Sequence, residues 1–237
     1  MTILYLVRHG ETVDNASQIM QGQTQGQLNE AGIRQAEELA RELATAHFDA
    51  IVASDLRRSV HTAEILAAPH GIAVTTTPLL RERDWGDFTG RFIPSLKGLP
   101  FPENVESMEC LLARAGRFLD YIRNTFPEKK VLAVGHGIIN KAIQAVHYKK
   151  RTREIERMKN AEVRVLEIEW LYLWFIADCG CRQTNRCRLG HHHCGNRHRR
   201  VYRHRCRNRH DYGSCHRYRN CCHYGKHHHC ASHSLPR

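Results

Sequence analysis

Apolar positions along this chain follow two alternating rhythms. Solid apolar or β-branched runs at 3–7, 49–53, 72–77 and 130–134 have the length of strands buried on both faces, and 162–168 reads as a last strand. Between them the period lengthens to that of a helix. Ile33, Ala36, Leu39, Ala40 and Leu43 recur at helical spacing among Glu30, Arg34, Glu37, Glu38, Arg41 and Glu42, with Asn29 placed to cap the first turn. The spacing predicts further helices over 56–68, over 105–126 with Met108, Leu111, Leu112, Ala115, Leu119 and Ile122 on its stripe, and over 138–146. Residues 13–27 read as a polar loop. Residues 83–104, broken by Gly86, Gly90, Pro94, Gly98, Pro100 and Pro102, read as an irregular excursion. Strand and helix alternate, so the expected fold is a three-layer α/β/α domain with a mainly parallel sheet.

Charge and cysteine divide the chain in two. Residues 1–169 hold 22 Lys and Arg against 22 Asp and Glu, whereas 170–237 hold 14 against 2, so the net +12 lies wholly in the last 68 residues. The body is therefore neutral and gives no basic face for nucleic acid. Cys110 is its only cysteine, which fits a reduced intracellular domain without a disulfide framework. No leader pattern opens the chain, and no apolar run approaches the roughly 20 residues that span a bilayer. A cytoplasmic protein without a membrane partner is expected, with a homodimer left open.

The expected organisation is a domain over 1–169, whose last strand can be incomplete, and a Cys/His/Arg-rich tail over 170–237. After Ala177 the tail's aliphatic residues are only Leu189, Val201, Ala231 and Leu235, too few to bury a core against the ordering entropy. Three readings compete for it. His191-His192-His193-Cys194 and Cys221-Cys222-His223 offer metal ligands, but at irregular spacing. The arginines offer a nucleic-acid arm. The favoured reading is an aberrant, frameshift-like extension that stays disordered.

Reactive residues fall where the strands end. Arg8 and His9 follow the first, Ser54 and Arg58 the second, Glu82 the third and His136 the fourth. An open α/β sheet binds ligands in the crevice at these carboxyl ends. Two histidines, two arginines and a carboxylate suit a phosphate ester. His9 can attack phosphorus and form a covalent intermediate. Arg8 and Arg58 can fork onto phosphate oxygens, with His136, if protonated, as a third donor. Glu82 can protonate the leaving oxygen, unless it merely pairs with Arg81 or Arg83. This chemistry needs no metal and no cofactor.

The motifs LVRHGET at 6–12, SDLRRSVHTAEIL at 54–66, LRERDWGDFTG at 80–90 and VGHG at 134–137 resemble, in order, those of the histidine phosphatase superfamily, the phosphoglycerate-mutase-like branch 1. The resemblance covers residues 1 to about 169. It implies a phosphoglycerate-mutase-like fold and His9 as the phosphorylated nucleophile. It also implies Arg8, Arg58 and His136 as the phosphate pocket and Glu82 as the proton donor. Asn15 falls at a phosphate-contacting asparagine of the family, Gly137 offers a backbone N–H, and Thr12 of the first motif is taken with them as substrate-binding. Ser59, Thr89 and Lys141 depart from the usual residues without touching that set. Mutases of the family carry a long insertion between the carboxylate and the second histidine. Here Glu82 and His136 are 54 positions apart, which implies a small phosphatase acting on a phosphorylated metabolite. The alternatives are a phosphoglycerate mutase-like phosphotransferase and a non-catalytic phosphoester-binding protein with a basic tail.

Overall fold

Five strands form the sheet of residues 1–169, which are the residues the structure, a computed structural model, describes. The tail readings all fall outside them. The strands are β1 (Thr2–Arg8), β2 (Ala50–Ser54), β3 (Val74–Thr77), β4 (Lys130–Gly135) and β5 (Val163–Ile168), in the order β3-β2-β4-β1-β5. The first four are parallel, and β5 lies antiparallel on β1 with Thr2 opposite Ile168. The helices are α1 (Val13–Ala16), α2 (Glu30–Leu43), α3 (Arg57–Ala67), α4 (Met108–Thr125) and α5 (Gly137–His147).

Strand alternation explains the three layers. Leu4, Leu6, Val52, Val131 and Ala133 project to one face and are buried beneath α4 and α5 through Leu111, Phe118, Ile122, Ile139 and Ile143. Val7, Ile51, Ala53, Leu132 and Val134 project to the other and are buried beneath α2 and α3 through Leu39, Ala63 and Leu66. Each central strand is thus apolar on both sides, which is why it reads as a solid run.

Three boundaries differ from the sequence reading. The 105–126 helix starts at Met108, because Ser107 takes the N-cap and its hydroxyl accepts from the Cys110 N–H at 3.1 Å. The third strand keeps only four residues, since β2 offers Ile51 to Ser54 as partners and no more. The 13–27 loop opens with the single turn α1, capped by Thr12. Within the 83–104 excursion, Gly86–Phe88 and Ile93–Leu96 are 3-10 turns. No helix among the described residues is long and apolar enough to cross a membrane.

The order places the topological switch between β1 and β4, whose carboxyl ends register Arg8 against Gly135. The chain leaves both strands through glycine-flanked histidines, and the His9 N–H donates to the Gly135 carbonyl at 3.1 Å. Gly10 lets this corner close. A Cβ there would collide with the Gly32 carbonyl of α2, a backbone atom that cannot swing aside.

Candidate active site

The β1 and β4 exits bring the His9 and His136 rings to 5.0 Å between centroids. His9 is 3% exposed, and its Nδ1 lies 2.7 Å from the Gly10 carbonyl oxygen. A carbonyl only accepts, so the ring proton sits on Nδ1 and the Nε2 lone pair faces the crevice. Burial, then the neighbouring guanidinium of Arg58, holds the His9 imidazole well below its ordinary pKa. The free protein therefore presents a neutral nitrogen base.

Arg58 is held by the 13–27 loop rather than by a carboxylate. Its Nη2 donates to the Gly22 carbonyl at 2.8 Å, and its Nη1 to those of Thr24 and Gln25. That leaves Nε, which points at His9 Nε2 from 3.4 Å. Gly26, at φ +62, is required here, because a Cβ would press on Gln21 Nε2 at 2.7 Å and on the Arg58 side chain at 3.2 Å. Arg8 donates through Nη1 to the Met158 carbonyl at 2.7 Å, and its buried Nε has no partner. Burial lowers both guanidinium pKa values to about 10, so both stay charged at neutral pH.

His136 caps α5 from a fully buried position, and neither ring nitrogen has a protein partner. Burial, followed by Arg58, depresses its pKa well below the usual value. It is held neutral, so the protonated third donor of the sequence expectation is not the form that its surroundings favour. Buried polar atoms left without partners beside two arginines are what an anion site looks like before its ligand binds.

Glu82 does not pair with its arginine neighbours. Arg81 goes to the Asp55 carboxylate through Nε at 2.7 Å, and Arg83 donates to the Glu106 carbonyl at 2.8 Å. The Glu82 carboxylate instead accepts the N–H groups of Arg83 at 2.8 Å, Ile138 at 3.1 Å and Ile139 at 3.2 Å. It therefore sits on the N-terminus of α5, one residue past His136, and its charge acts on both Arg8 and Arg58.

The remaining expectations divide. The Asn15 side chain lines a cavity of about 970 Å³ that opens outward from Arg8. Gly137 begins α5, bare enough for two guanidiniums to approach. Thr12 is fully buried and does not line the cavity; its hydroxyl accepts from the Asn15 N–H at 3.0 Å, which makes it the cap that orients Asn15.

Three site residues escaped the sequence reading. Arg114 of α4 is 9% exposed and bidentate on Glu106, and it also donates to the Leu79, Arg81 and Glu82 carbonyls, fixing the segment that carries Glu82. Its place between Leu111 and Phe118 on the buried stripe was the available signal. Asn160 donates to the His9 carbonyl at 3.1 Å and to Asn15 Oδ1 at 3.3 Å. Arg157 reaches the cavity from the segment before β5. Neither of the last two lies in a periodic or motif-bearing stretch.

The sequence profile of the histidine phosphatase superfamily (branch 1) matches residues 4–171. The chain belongs to this superfamily. The uncharacterized phosphatase PhoE of Bacillus subtilis (strain 168) is 37% identical over 141 residues, covering 58% of this chain and 72% of its own. The probable phosphoglycerate mutase GpmB of Yersinia pestis (strain Pestoides F) is 32% identical over 201 residues, covering 76% of this chain and 93% of its own. Among solved structures, the mycobacterial glucosyl-3-phosphoglycerate phosphatase complexed with VO3 superposes with a TM-score of 0.66 at 28% identity, over 71% of this chain and 92% of its own. Bacillus stearothermophilus YhfR gives 0.67 at 27%, over the same shares of 71% and 92%. This superfamily member thus has both phosphatase-named and mutase-named relatives, and its fold is the phosphoglycerate-mutase-like fold of the histidine phosphatases.

The two deeply buried histidines, His9 and His136, make a stability prediction for this superfamily member, to which the half-buried His147, lowered mainly by burial, adds. Each has a folded-state pKa below its unfolded value, so the unfolded chain takes up protons first as pH falls below about 6.5. Stability is full above that pH and is lost as pH drops towards the folded pKa values, by at most about 1.4 kcal/mol per pH unit for each histidine. Urea midpoints should fall between pH 7.5 and pH 5, and His136→Gln should flatten the slope. A midpoint that rises on acidification would contradict the assignment.

Proposed function

We propose that this histidine phosphatase hydrolyses a small phosphate monoester through a phosphohistidine on His9, without a metal ion. The observation that carries the reading is the oriented base: Nδ1–H is fixed on Gly10, and Nε2 accepts only a long 3.4 Å hydrogen bond from Arg58 Nε, a donor that a phosphate oxygen can take over. In the first step the Nε2 lone pair forms the N–P bond while the ester P–O bond breaks, and the Glu82 carboxyl gives its proton to the leaving oxygen. In the second, the Glu82 carboxylate takes a proton from water, the oxygen bonds to phosphorus, and the N–P pair returns to His9. Arg8, Arg58 and His136 stabilise the equatorial oxygens. Asn15 and the Gly137 N–H bind substrate, with Thr12 acting through Asn15.

Among the described residues no group of three His, Cys, Asp or Glu side chains is gathered for a metal ion. The 54 positions between Glu82 and His136, too few for the long insertion of the family's mutases, favour hydrolysis over transfer to a second alcohol. The test is p-nitrophenyl phosphate turnover at pH 5–7 with and without chelator, together with an alkaline quench. Turnover that persists in chelator with a base-stable, acid-labile phosphoprotein is expected. Activity abolished by chelator would sink the metal-free mechanism.

A further inference from the structure

Arg157 has no part in the reaction as derived, yet it stands where negative charge is wanted. It is exposed, and its guanidinium borders Gly137 from the cavity side. A Cβ on Gly137 would lie 3.3 Å from Arg157 Nε and 3.5 Å from both its Nη2 and Arg8 Nε. Two guanidiniums thus flank one backbone position. Among the described residues no carboxylate pairs with Arg157. Lys97 and Lys159 share its wall, whereas the one carboxylate lining the cavity, Glu11, already accepts from Asn29 Nδ2 at 2.6 Å. A phosphate dianion on His9 uses Arg8 and Arg58; Lys159 has the Glu162 carboxylate nearby, whereas Arg157 and Lys97 have no carboxylate partner among the described residues.

The charge is not aimed at the reacting phosphorus. His9, Arg58, Glu82 and His136 do not line the cavity, whereas Arg8 and Arg157 do. Arg157 and Arg8, both on the cavity wall, meet at Gly137, and His9 does not contribute to that wall.

We propose that Arg157, with Lys97 and Lys159, forms a subsite for a second anionic group on the phosphate ester and so sets which esters are preferred. A planar fork with its donors uncommitted suits a carboxylate or a second phosphate alike. This rests on the hydrolase reading of the same site, and binding of non-hydrolysable phosphonates separates the two. Calorimetry would compare propylphosphonate with 3-phosphonopropionate and propane-1,3-bisphosphonate. Wild type should bind at least one of the diacids about tenfold more tightly than propylphosphonate, and the better one identifies the group. In Arg157→Met that advantage should fall below about threefold, and Arg157→Lys should restore part of it. Equal wild-type affinity for all three overturns the subsite. So does an Arg157→Met variant that weakens all three by one factor, which would assign Arg157 to the reacting phosphate. Wild-type p-nitrophenyl phosphate turnover is measured in parallel. An inactive protein that still discriminates removes the hydrolysis reading alone; an active one that does not discriminate removes the subsite alone.

Discussion

His9→Ala is expected to lower steady-state turnover of p-nitrophenyl phosphate by about 10⁴-fold or more, the scale on which enzymes lose rate when the covalent nucleophile goes. The expectation follows from how little else in the crevice can replace it. Arg58 offers only a donor at 3.4 Å, and His136 is a buried ring whose nitrogens have no partner to fix a tautomer. The fold should survive. The imidazole makes one hydrogen bond to its own neighbour's carbonyl, and Gly10 stays tied through its N–H to the Thr62 hydroxyl at 3.2 Å. Arg8 and Arg58 keep their backbone carbonyl partners. The variant should therefore still bind phosphonates while forming no phosphoprotein. Thermal melting distinguishes loss of chemistry from loss of structure. Retention of a tenth of the wild-type rate with no phosphoprotein would remove His9 as nucleophile.

The elements that sequence reveals best are those whose environment is uniform along their length. α2 alternates charge with Ala36, Leu39 and Ala40 facing one core, and the central strands are buried on both sides, so hydropathy alone marks them. His9 and His136 stand directly at the ends of β1 and β4, and parallel strands deliver their ends to one edge, whereas Arg58 lies in the first turn of α3 and Glu82 beyond the 3-10 turn that follows β3. What stayed hidden depends on contacts between distant segments. Arg8 meets Met158 across 150 positions, and Arg114 reaches the Glu82 carbonyl across 32. A buried arginine on an apolar helical stripe looks, in sequence, like an interruption of the stripe. Thr12 is the opposite case: its place in a motif drew it toward substrate, and its hydroxyl accepts the Asn15 N–H as a helix cap.

Glu82→Gln separates the two halves of the reaction. The amide is nearly isosteric, and its carbonyl oxygen can take over the N–H groups of Arg83, Ile138 and Ile139 that Oε1 now accepts. The α5 terminus should therefore hold, and melting should change little. What is lost is the proton. With an alkyl phosphate, whose alkoxide leaves poorly, formation of the phosphoenzyme should slow by about 10²- to 10⁴-fold. With p-nitrophenyl phosphate the leaving phenolate needs little protonation, so that step should slow far less. Its hydrolysis should still slow, because no carboxylate remains to take the proton from water. The variant should thus show a burst of p-nitrophenolate and accumulate more phosphoprotein than wild type. Arg114, which fixes the Glu82 segment, provides the contrast: Arg114→Met displaces the carboxyl without removing it, so lost rate should come with lost stability. An equal fall for both leaving groups in Glu82→Gln, without a burst, would mean that Glu82 only anchors α5 and that the proton comes from elsewhere.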